Sequence, residues 1–263
     1  MNRRKVVNAS PADRRGERLH WLYGINPVAR RLAVHPASIR ALELLRGESA
    51  RRAQLAQAAQ RAGIPVRDAD QATLRRLTGC DTHQGVAALA EAYRYQELDA
   101  VVAARPGPVL VLDQIQDPHN LGALVRTAAA VGMAAVVIPR HGAAGVSPAV
   151  EKVAAGAVND VPICQVANIR TSLLGLRERG YWSIALTAHA TQSLFALEMP
   201  QRPVLVLGGE TGIRPLVDRT CDLRAAIPLQ GGVESLNASV AGAVAMYEVW
   251  RRLRRLDSPE EHW

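Results

Sequence analysis

Cysteine is scarce in this sequence, with only Cys80, Cys164 and Cys221 among 263 residues. They are odd in number and far apart, and no C-x-x-C pair is present, which disfavours a disulfide framework, a zinc site and dithiol redox chemistry. No apolar run reaches the roughly 18 residues of a membrane span, and the basic start of the chain lacks the apolar segment of a signal peptide. We therefore expect a cytoplasmic protein with no metal ion and no membrane partner.

Aromatic residues are also few, at 4% of the chain, whereas hydrophobic residues of all kinds make up 48%. Ala, Val and Leu must therefore supply most of the core. A chain of 263 residues is long enough for one large domain or two modest ones.

Positive charge is concentrated in the first part of the chain. Residues 1–105 carry 18 Lys and Arg against 10 Asp and Glu, whereas residues 106–263 carry 14 of each, so the first part holds the whole net charge of +8. Phosphate binding requires such an excess, because each neutralised phosphate releases counterions. A solvated arginine-rich surface with a basic tail would give the same count, so the charge favours RNA binding only modestly.

The hydrophobic pattern predicts an α/β protein with two domains. Residues 1–19 lack periodicity and are predicted to be a flexible basic tail, residues 20–95 to form a small α/β/α domain, and residues 96–107 to be a linker. Residues 108–257 contain continuous apolar strands, such as VLVLD and AAVVIP, with helical segments between them. Such strands are typical of a parallel sheet that is covered on both faces. Residues 258–263 are predicted to be a short tail.

The first segment with chemistry-bearing residues is LDQIQDPHNLGALVRTA, residues 112–128, where a predicted strand leads into a helix. Asp117 is placed to cap the helix, and Asn120 lies near its first turn. Arg126 follows six residues later, about 1.7 helical turns further on. Taken alone, this pattern could be a cap and a surface ion pair.

The second segment is VLVLGGETGIRPLV, residues 204–217, in which Gly208 and Gly209 follow an apolar strand and precede Glu210. The glycines permit a close turn and a close approach of the main chain to a ligand. The segment lacks the Lys-Ser/Thr pair of a phosphate-binding P-loop, and no G-x-G-x-x-G stretch occurs in the chain. A structural glycine turn would explain the same residues.

The third segment is IPLQGGVESLNASVAGAVAMYE, residues 227–248, where a glycine turn leads into an apolar helix. Glu234, Ser235, Asn237 and Ser239 cluster at the entrance of this helix. Helix capping accounts for one or two of these polar groups and does not require four.

Together and in this order, the three segments resemble the signature of the SpoU (TrmH-type) branch of SPOUT RNA methyltransferases. The family pattern has Asn and Arg in DPxNxGxxxRTA, a GxE loop after a strand, and SLNxSxA at a helix entrance. The loop GGETGIRP is one residue shorter here than the usual GAEGxGLRP. The first domain, with LYGINPVARRL and HQGVAA, resembles the substrate-recruiting domain of the subgroup that methylates a ribose of a guanosine in 23S rRNA.

The resemblance implies a deep trefoil knot in the C-terminal domain, S-adenosylmethionine as cofactor, RNA as partner with no DNA partner, and a homodimer. The last helix, with Val240, Val244 and Tyr247 on one side, is a candidate dimer face, although core packing would give the same stripe. The implied cofactor-binding residues are Leu207, Gly208, Gly209, Ile227, Leu229 and Leu236. The implied catalytic residues are Asn120, Arg126, Glu210, Ser235 and Asn237.

The implied reaction is methyl transfer to a ribose 2′-OH. Arg126 is the candidate base by family analogy, with Asn120 holding it and the ribose in place. A guanidinium is normally always protonated, so Arg126 can instead organise a substrate phosphate that accepts or relays the proton.

Two other functions fit the same resemblance. One is 2′-O-methylation of tRNA, which the separate basic first domain disfavours. The other is a catalytically silent RNA-binding or ribosome-assembly factor, which the intact set of five polar residues disfavours.

Overall fold

The computed structural model describes residues 18–254, which form two compact units divided between Arg94 and Tyr95. The tail predicted at residues 258–263 and all but the last two residues of the tail predicted at 1–19 lie outside the described residues. Leu19 is only 5% exposed and begins a strand, so the prediction of a tail through residue 19 is wrong. The buried side chain of Leu19 is part of the hydrophobic core of the first unit.

The first unit alternates strands and helices. Its strands are β1 (Leu19–Tyr23), β2 (Ile39–Leu45), β3 (Val66–Ala69) and β4 (Val86–Glu91). Its helices are α1 (Ile25–Val34), α2 (Ala50–Arg61) and α3 (Gln71–Thr78). The sheet order is β1-β4-β2-β3, with β4 antiparallel to both of its neighbours and β3 parallel to β2.

The helices of the first unit pack on both faces of its sheet. Val28 of α1 and Leu55 of α2 share a buried cluster with Leu42 of β2. On the other face, Leu74 of α3 packs in a smaller cluster with Trp21 of β1. The first unit therefore has a hydrophobic core of its own, in three layers.

The second unit is larger and begins with a helix. Its strands are β5 (Val109–Asp113), β6 (Ala135–Pro139), β7 (Ile163–Val166), β8 (Trp182–Leu186), β9 (Pro203–Gly208) and β10 (Leu223–Ala225). Its helices are α4 (Leu98–Ala104), α5 (Pro118–Ala130), α6 (Pro148–Val153), α7 (Ile169–Glu178), α8 (Pro215–Asp218) and α9 (Ala238–Arg254). The sheet order is β10-β8-β9-β5-β6-β7, and every pair is parallel, which confirms the predicted parallel sheet.

Helices cover both faces of this sheet, as its continuous apolar strands predict. Val109 and Val111 of β5 belong to a buried cluster with residues of α4, α7 and α8. Leu110 and Leu112 alternate with them and are also fully buried. Because side chains alternate across a strand, these two leucines face the opposite layer, which contains α5 and α9.

The prediction of a linker at residues 96–107 is wrong, because this segment contains α4. Leu98, Val101 and Val102 are buried against the sheet of the second unit. Their spacing of three and four residues is that of one helical face. Pro106, Gly107 and Pro108, which are typical of a linker, lie between α4 and β5, inside the second unit.

Candidate active site

Two of the three segments singled out in the sequence meet at one edge of the six-stranded sheet. β5 and β9 are parallel neighbours, with Asp113 paired to Gly208 at their ends. The segments that follow them, with Asn120 and Glu210, therefore leave the sheet side by side. β10 runs in the same direction two strands away from β9, so the third segment starts at the same edge, about 10 Å away. This is the edge at which open α/β sheets bind ligands.

The first segment begins with an unusual main-chain conformation. Gln114 has a φ of 62°, which is uncommon for a residue other than glycine. Asp117 then caps α5 by accepting a hydrogen bond from the N–H of His119 at 3.0 Å, as predicted. Asn120 is half-buried in the first turn of α5, and Arg126 is exposed.

The side chains of Asn120 and Arg126 are not hydrogen-bonded to each other in this structure. Six helical residues separate them by about 9 Å along the axis of α5 and by about 120° around it. Neither side chain has a hydrogen-bond or ion-pair partner among residues 18–254. The expectation that Asn120 holds Arg126 is therefore not met within one chain, although both side chains remain available to a substrate.

The second segment forms a tight turn that only glycine permits. The N–H of Gly212 donates to the carbonyl of Gly209 at 2.9 Å, leaving Glu210 exposed at the tip. A Cβ atom on Gly208 would lie 2.0 Å from the carbonyl carbon of Gly212, and one on Gly209 would lie 2.4 Å from the carbonyl oxygen of Gln114. Both glycines are needed for the close approach of main chain to main chain.

A buried ion pair, not predicted from the sequence, supports this turn. The carboxylate of Asp113 is fully buried at the end of β5 and accepts the main-chain N–H of Arg214 at 2.9 Å. It also accepts the Nε–H of Arg214 at 2.8 Å and lies 2.7 Å from its Nη2. One sequence signal could have indicated a buried charge here. Asp113 is an acidic residue at the end of the otherwise apolar strand VLVLD, four residues before Asp117.

The third segment combines an open loop with a capped helix. Asn237 precedes α9, and its Oδ1 accepts hydrogen bonds from the main-chain N–H of Ser239 at 2.8 Å and from the Ser239 hydroxyl at 2.6 Å. Asn237 therefore caps the helix, as one of the polar groups at this entrance that helix capping explains. Within the described part of the chain, the main chain of residues 228–236 has no hydrogen-bond partner. Ser235 and Leu229 are exposed in this loop, and Leu236 is half-buried.

The three segments converge at a single packing contact. Gly242 of α9 faces Leu124 of α5 and Leu207 of β9 so closely that a Cβ atom would lie 2.2 Å from one leucine and 2.9 Å from the other. Leu124 belongs to the first segment, Leu207 to the second and Gly242 to the third. The three segments, distant in sequence, are thus held together.

A loop that the sequence did not suggest borders the same edge. Residues 140–147 follow β6, and the N–H of Ala144 donates to the carbonyl of Ile115 at 2.8 Å. The hydroxyl of Tyr95 accepts a hydrogen bond from the N–H of Val146 at 2.9 Å, and burial raises the pKa of Tyr95. Tyr95 was assigned to the end of the first domain, but it belongs to the second unit.

The cysteines and the other metal-binding residue types form no cluster in the described part of the chain. Cys80, Cys164 and Cys221 are free, and burial raises the pKa of Cys164 to about 11 and that of Cys221 to about 12. Between residues 18 and 254, no three His, Cys, Asp or Glu side chains are grouped to hold a metal ion. No helix in this range has both the length and the apolar character to cross a membrane.

The sequence matches two family models that together span most of the chain. Residues 107–247 match the SpoU rRNA Methylase family, and residues 21–96 match the RNA 2′-O ribose methyltransferase substrate binding model. Among solved structures, the SpoU methyltransferase AviRb of Streptomyces viridochromogenes, in complex with the cofactor AdoMet, has the same fold. Its TM-score is 0.76 at 22% identity, covering 90% of this chain and 91% of that one.

Several curated proteins are similar over almost the same range. The chain is 39% identical over 239 residues to the 23S rRNA (guanosine-2′-O-)-methyltransferase RlmB of Xanthomonas campestris, covering 88% of this chain and 96% of that protein. It is 40% identical over 236 residues to the protein of the same name from Ralstonia nicotianae, covering 88% and 95%. On these matches, together with the convergence of its three segments, the chain belongs to the SpoU rRNA methylase family.

Proposed function

We propose that this protein is an S-adenosylmethionine-dependent methyltransferase that methylates a ribose 2′-OH of a guanosine in 23S rRNA. The observation that carries the proposal is the contact among Leu124, Leu207 and Gly242, which brings the three family segments together. The names of the similar proteins supply the substrate, 23S rRNA, and the methylated nucleoside, guanosine. The geometry supports a shared site, and the relatives specify what it acts on.

The residues at the sheet edge fit the proposed cofactor. Leu207 and Gly208 end β9, Gly209 follows it, and Ile227 to Leu229 follow β10, so these residues lie along one edge of the sheet with the end of β8 between them. The open main chain of residues 228–236 offers N–H and C=O groups, and Leu236 offers apolar surface. When bound, S-adenosylmethionine supplies an electrophilic methyl group. We propose that this chain encloses it in a trefoil knot, as in the rest of the family.

The polar residues then act on the RNA. Arg126 is exposed and charged, and in our proposal it binds the phosphate next to the target ribose. Both acceptor bonds of Asn237 go to Ser239, so its amide N–H groups remain free to donate to the ribose. Asn120, Glu210 and Ser235 complete the set that orients the ribose, and the proton of the 2′-OH passes to the RNA phosphate.

Positioning should contribute more to this reaction than proton abstraction. General base catalysis typically contributes about 10²- to 10⁴-fold, whereas holding two reactants in attack geometry can remove about 7–11 kcal/mol of the barrier. Because a guanidinium is a poor proton acceptor, the site favours the second effect.

The direct test is to incubate the purified protein with unmodified 23S rRNA and labelled S-adenosylmethionine, and then to map the labelled nucleotide. Unmodified tRNA serves as the alternative substrate in a parallel reaction. A 2′-O-methylguanosine in 23S rRNA would support the proposal. Labelling of tRNA alone would indicate that the substrate is tRNA and not 23S rRNA. Cofactor binding without any methyl transfer would indicate a catalytically silent RNA-binding factor.

The basic first unit is the proposed RNA-recruiting part of the protein. Because α4 belongs to the second unit, a truncation must end at Arg94 and not within residues 96–107. We expect removal of residues 1–94 to weaken RNA binding by about tenfold or more and to flatten its dependence on salt, since fewer phosphates are neutralised. The measurement is an RNA titration at several salt concentrations, with cofactor affinity as the control. Full RNA affinity of the truncated protein at moderate salt would contradict this role.

We further propose that the protein is a homodimer that associates through α9. Tyr247 is 51% exposed and stacks edge-to-face on Trp250, with ring centroids 6.0 Å apart. With Phe195 and Val244 they line an apolar groove of about 490 Å³. Arg251 donates hydrogen bonds to Glu248 beside the groove and lowers the pKa of that carboxyl. An apolar groove with a paired charged rim is typical of an interface between protein subunits.

The substitution Tyr247→Glu is expected to convert the dimer to a monomer, because it places a charge at the centre of the apolar face. Sedimentation velocity would measure the change. Leu216→Glu is the matched control, since Leu216 is 64% exposed on α8, in the layer on the other face of the sheet. A Tyr247→Glu protein with unchanged sedimentation would place the interface elsewhere.

A further inference from the structure

One residue holds both ends of the loop that carries Glu210. The carbonyl of Asp113 accepts the N–H of Gly209 at 3.0 Å, where the chain leaves β9. The carboxylate of the same Asp113 accepts the main-chain N–H of Arg214 at 2.9 Å, where the chain approaches α8. The start and the end of residues 209–214 are therefore fixed to the end of β5.

The ion pair has a geometry that suits positioning. Asp113 is fully buried, whereas the Arg214 side chain is 43% exposed, and two guanidinium nitrogens lie 2.8 and 2.7 Å from the same carboxylate oxygen. Moving a carboxylate out of water costs free energy, and the attraction within the ion pair often does no more than offset that cost. A buried pair is therefore weak evidence for added stability. The rigid fork of an arginine does fix the direction of the chain that carries it.

The restrained loop leaves little freedom to the main chain of Glu210. The hydrogen bond from Gly212 to Gly209 closes the turn, so only Glu210 and Thr211 lie between its two ends. Both are exposed, with no partner among residues 18–254. The loop is also one residue shorter than the usual family pattern. The main-chain position from which the Glu210 side chain projects is thus set by the two ends of the turn.

We infer that Asp113 and Arg214 are positioning residues for methyl transfer, which act by holding Glu210 in place. Because its test measures the rate of methyl transfer, the inference rests on the proposed function. Arg214 acts on the far end of the turn, after Glu210, whereas Gly209 stays attached through the Asp113 carbonyl. Loss of the ion pair should therefore disturb Glu210 more than the cofactor-binding end of the loop.

The experiment compares Asp113→Asn and Arg214→Lys with the wild-type full-length protein. Asp113→Asn removes the charge, whereas Arg214→Lys keeps a counter-charge for Asp113 and removes the fork. Asp222→Asn is the matched control, because Asp222 also pairs with an arginine, Arg177 at 2.6 Å, but lies just before β10, at the opposite end of the parallel strands. Each variant is measured for kcat, KM for RNA, cofactor affinity, melting temperature and hydrogen exchange of the amides in residues 209–214.

We expect kcat to fall by about 10- to 100-fold in Asp113→Asn and by about tenfold in Arg214→Lys, since small misplacements of a positioning group cost this much. KM for RNA and cofactor affinity should stay at their wild-type values, and the Arg214 amide should exchange faster in Asp113→Asn, because an amide oxygen is a weaker acceptor than a carboxylate oxygen. Asp222→Asn should lower the melting temperature and leave kcat unchanged.

Wild-type kcat in both Asp113→Asn and Arg214→Lys, well below their melting temperatures, would overturn the inference. An equal loss of kcat in Asp222→Asn at a comparable fall in melting temperature would also overturn it, since the Asp113 and Arg214 pair would then be only structural. A wild-type protein that methylates no RNA would instead contradict the proposed function, and the exchange protection of Arg214 would then decide whether the pair holds the loop.

Discussion

Replacing Arg126 with alanine is expected to abolish methyl transfer while leaving cofactor binding largely intact. Arg126 is exposed on α5 and has no ion-pair partner among residues 18–254, so its removal should cost little stability. A single group that stabilises developing charge is commonly worth about 10²- to 10³-fold in rate, and a fall of at least this size is expected. Single-turnover transfer to 23S rRNA measures the rate, and calorimetry measures cofactor affinity.

Two further variants separate a charge effect from a geometric one. Arg126→Lys keeps the positive charge but loses bidentate contact with a phosphate, so it should recover only part of the rate. Arg170→Ala removes an exposed arginine from α7, which lies in the layer away from α5, and should transfer at the wild-type rate. Near-normal turnover by Arg126→Ala would refute the assignment of Arg126.

Replacing Gly208 with alanine is expected to disrupt both the loop and cofactor binding. The new Cβ would lie 2.0 Å from the carbonyl carbon of Gly212 and 2.3 Å from the main-chain nitrogen of Ile213. Main-chain atoms cannot rotate away as a side chain can, so β9 or the turn has to move. Overpacking of this kind typically costs about 1–3 kcal/mol in the free energy of unfolding. Thermal unfolding and cofactor calorimetry would measure the two losses.

Gly232 is the control for that experiment. It lies in the open loop of the third segment, its φ is not in the left-handed region, and an added Cβ would meet no atom within 4 Å. Gly232→Ala should therefore unfold at the wild-type temperature. If Gly208→Ala also melts and binds cofactor as the wild type does, the close approach of the turn to β9 is not required.

Much of the fold can be predicted from local sequence patterns. Runs such as VLVLD identify buried parallel strands, and the Asp117 and Asn237 caps mark the starts of α5 and α9. The resemblance placed Asn120, Glu210 and Ser235 in segments that the structure brings to one region. Their roles in binding and catalysis stay predictions.

The features that sequence reasoning missed depend on contacts between distant residues. Asp113 and Arg214 are 101 positions apart, and nothing in either local pattern indicates that they pair. Tyr95 and Val146 are 51 positions apart and meet only because β6 and the start of the second unit are neighbours in the fold. The missed helix α4 had a local signal, the spacing of Leu98 and Val101, but nearby proline and glycine residues favoured a linker.

The absence of a side chain at Gly242 limits how this protein can be recombined with its relatives. A chimera that imports only α5, β9 or α9 from a relative changes one side of a contact in which a Cβ atom on Gly242 would lie only 2.2 Å from Leu124. Exchanging Leu124, Leu207 and Gly242 as a set should preserve function where exchanging one segment fails. We therefore expect the three segments to be exchangeable between relatives only together.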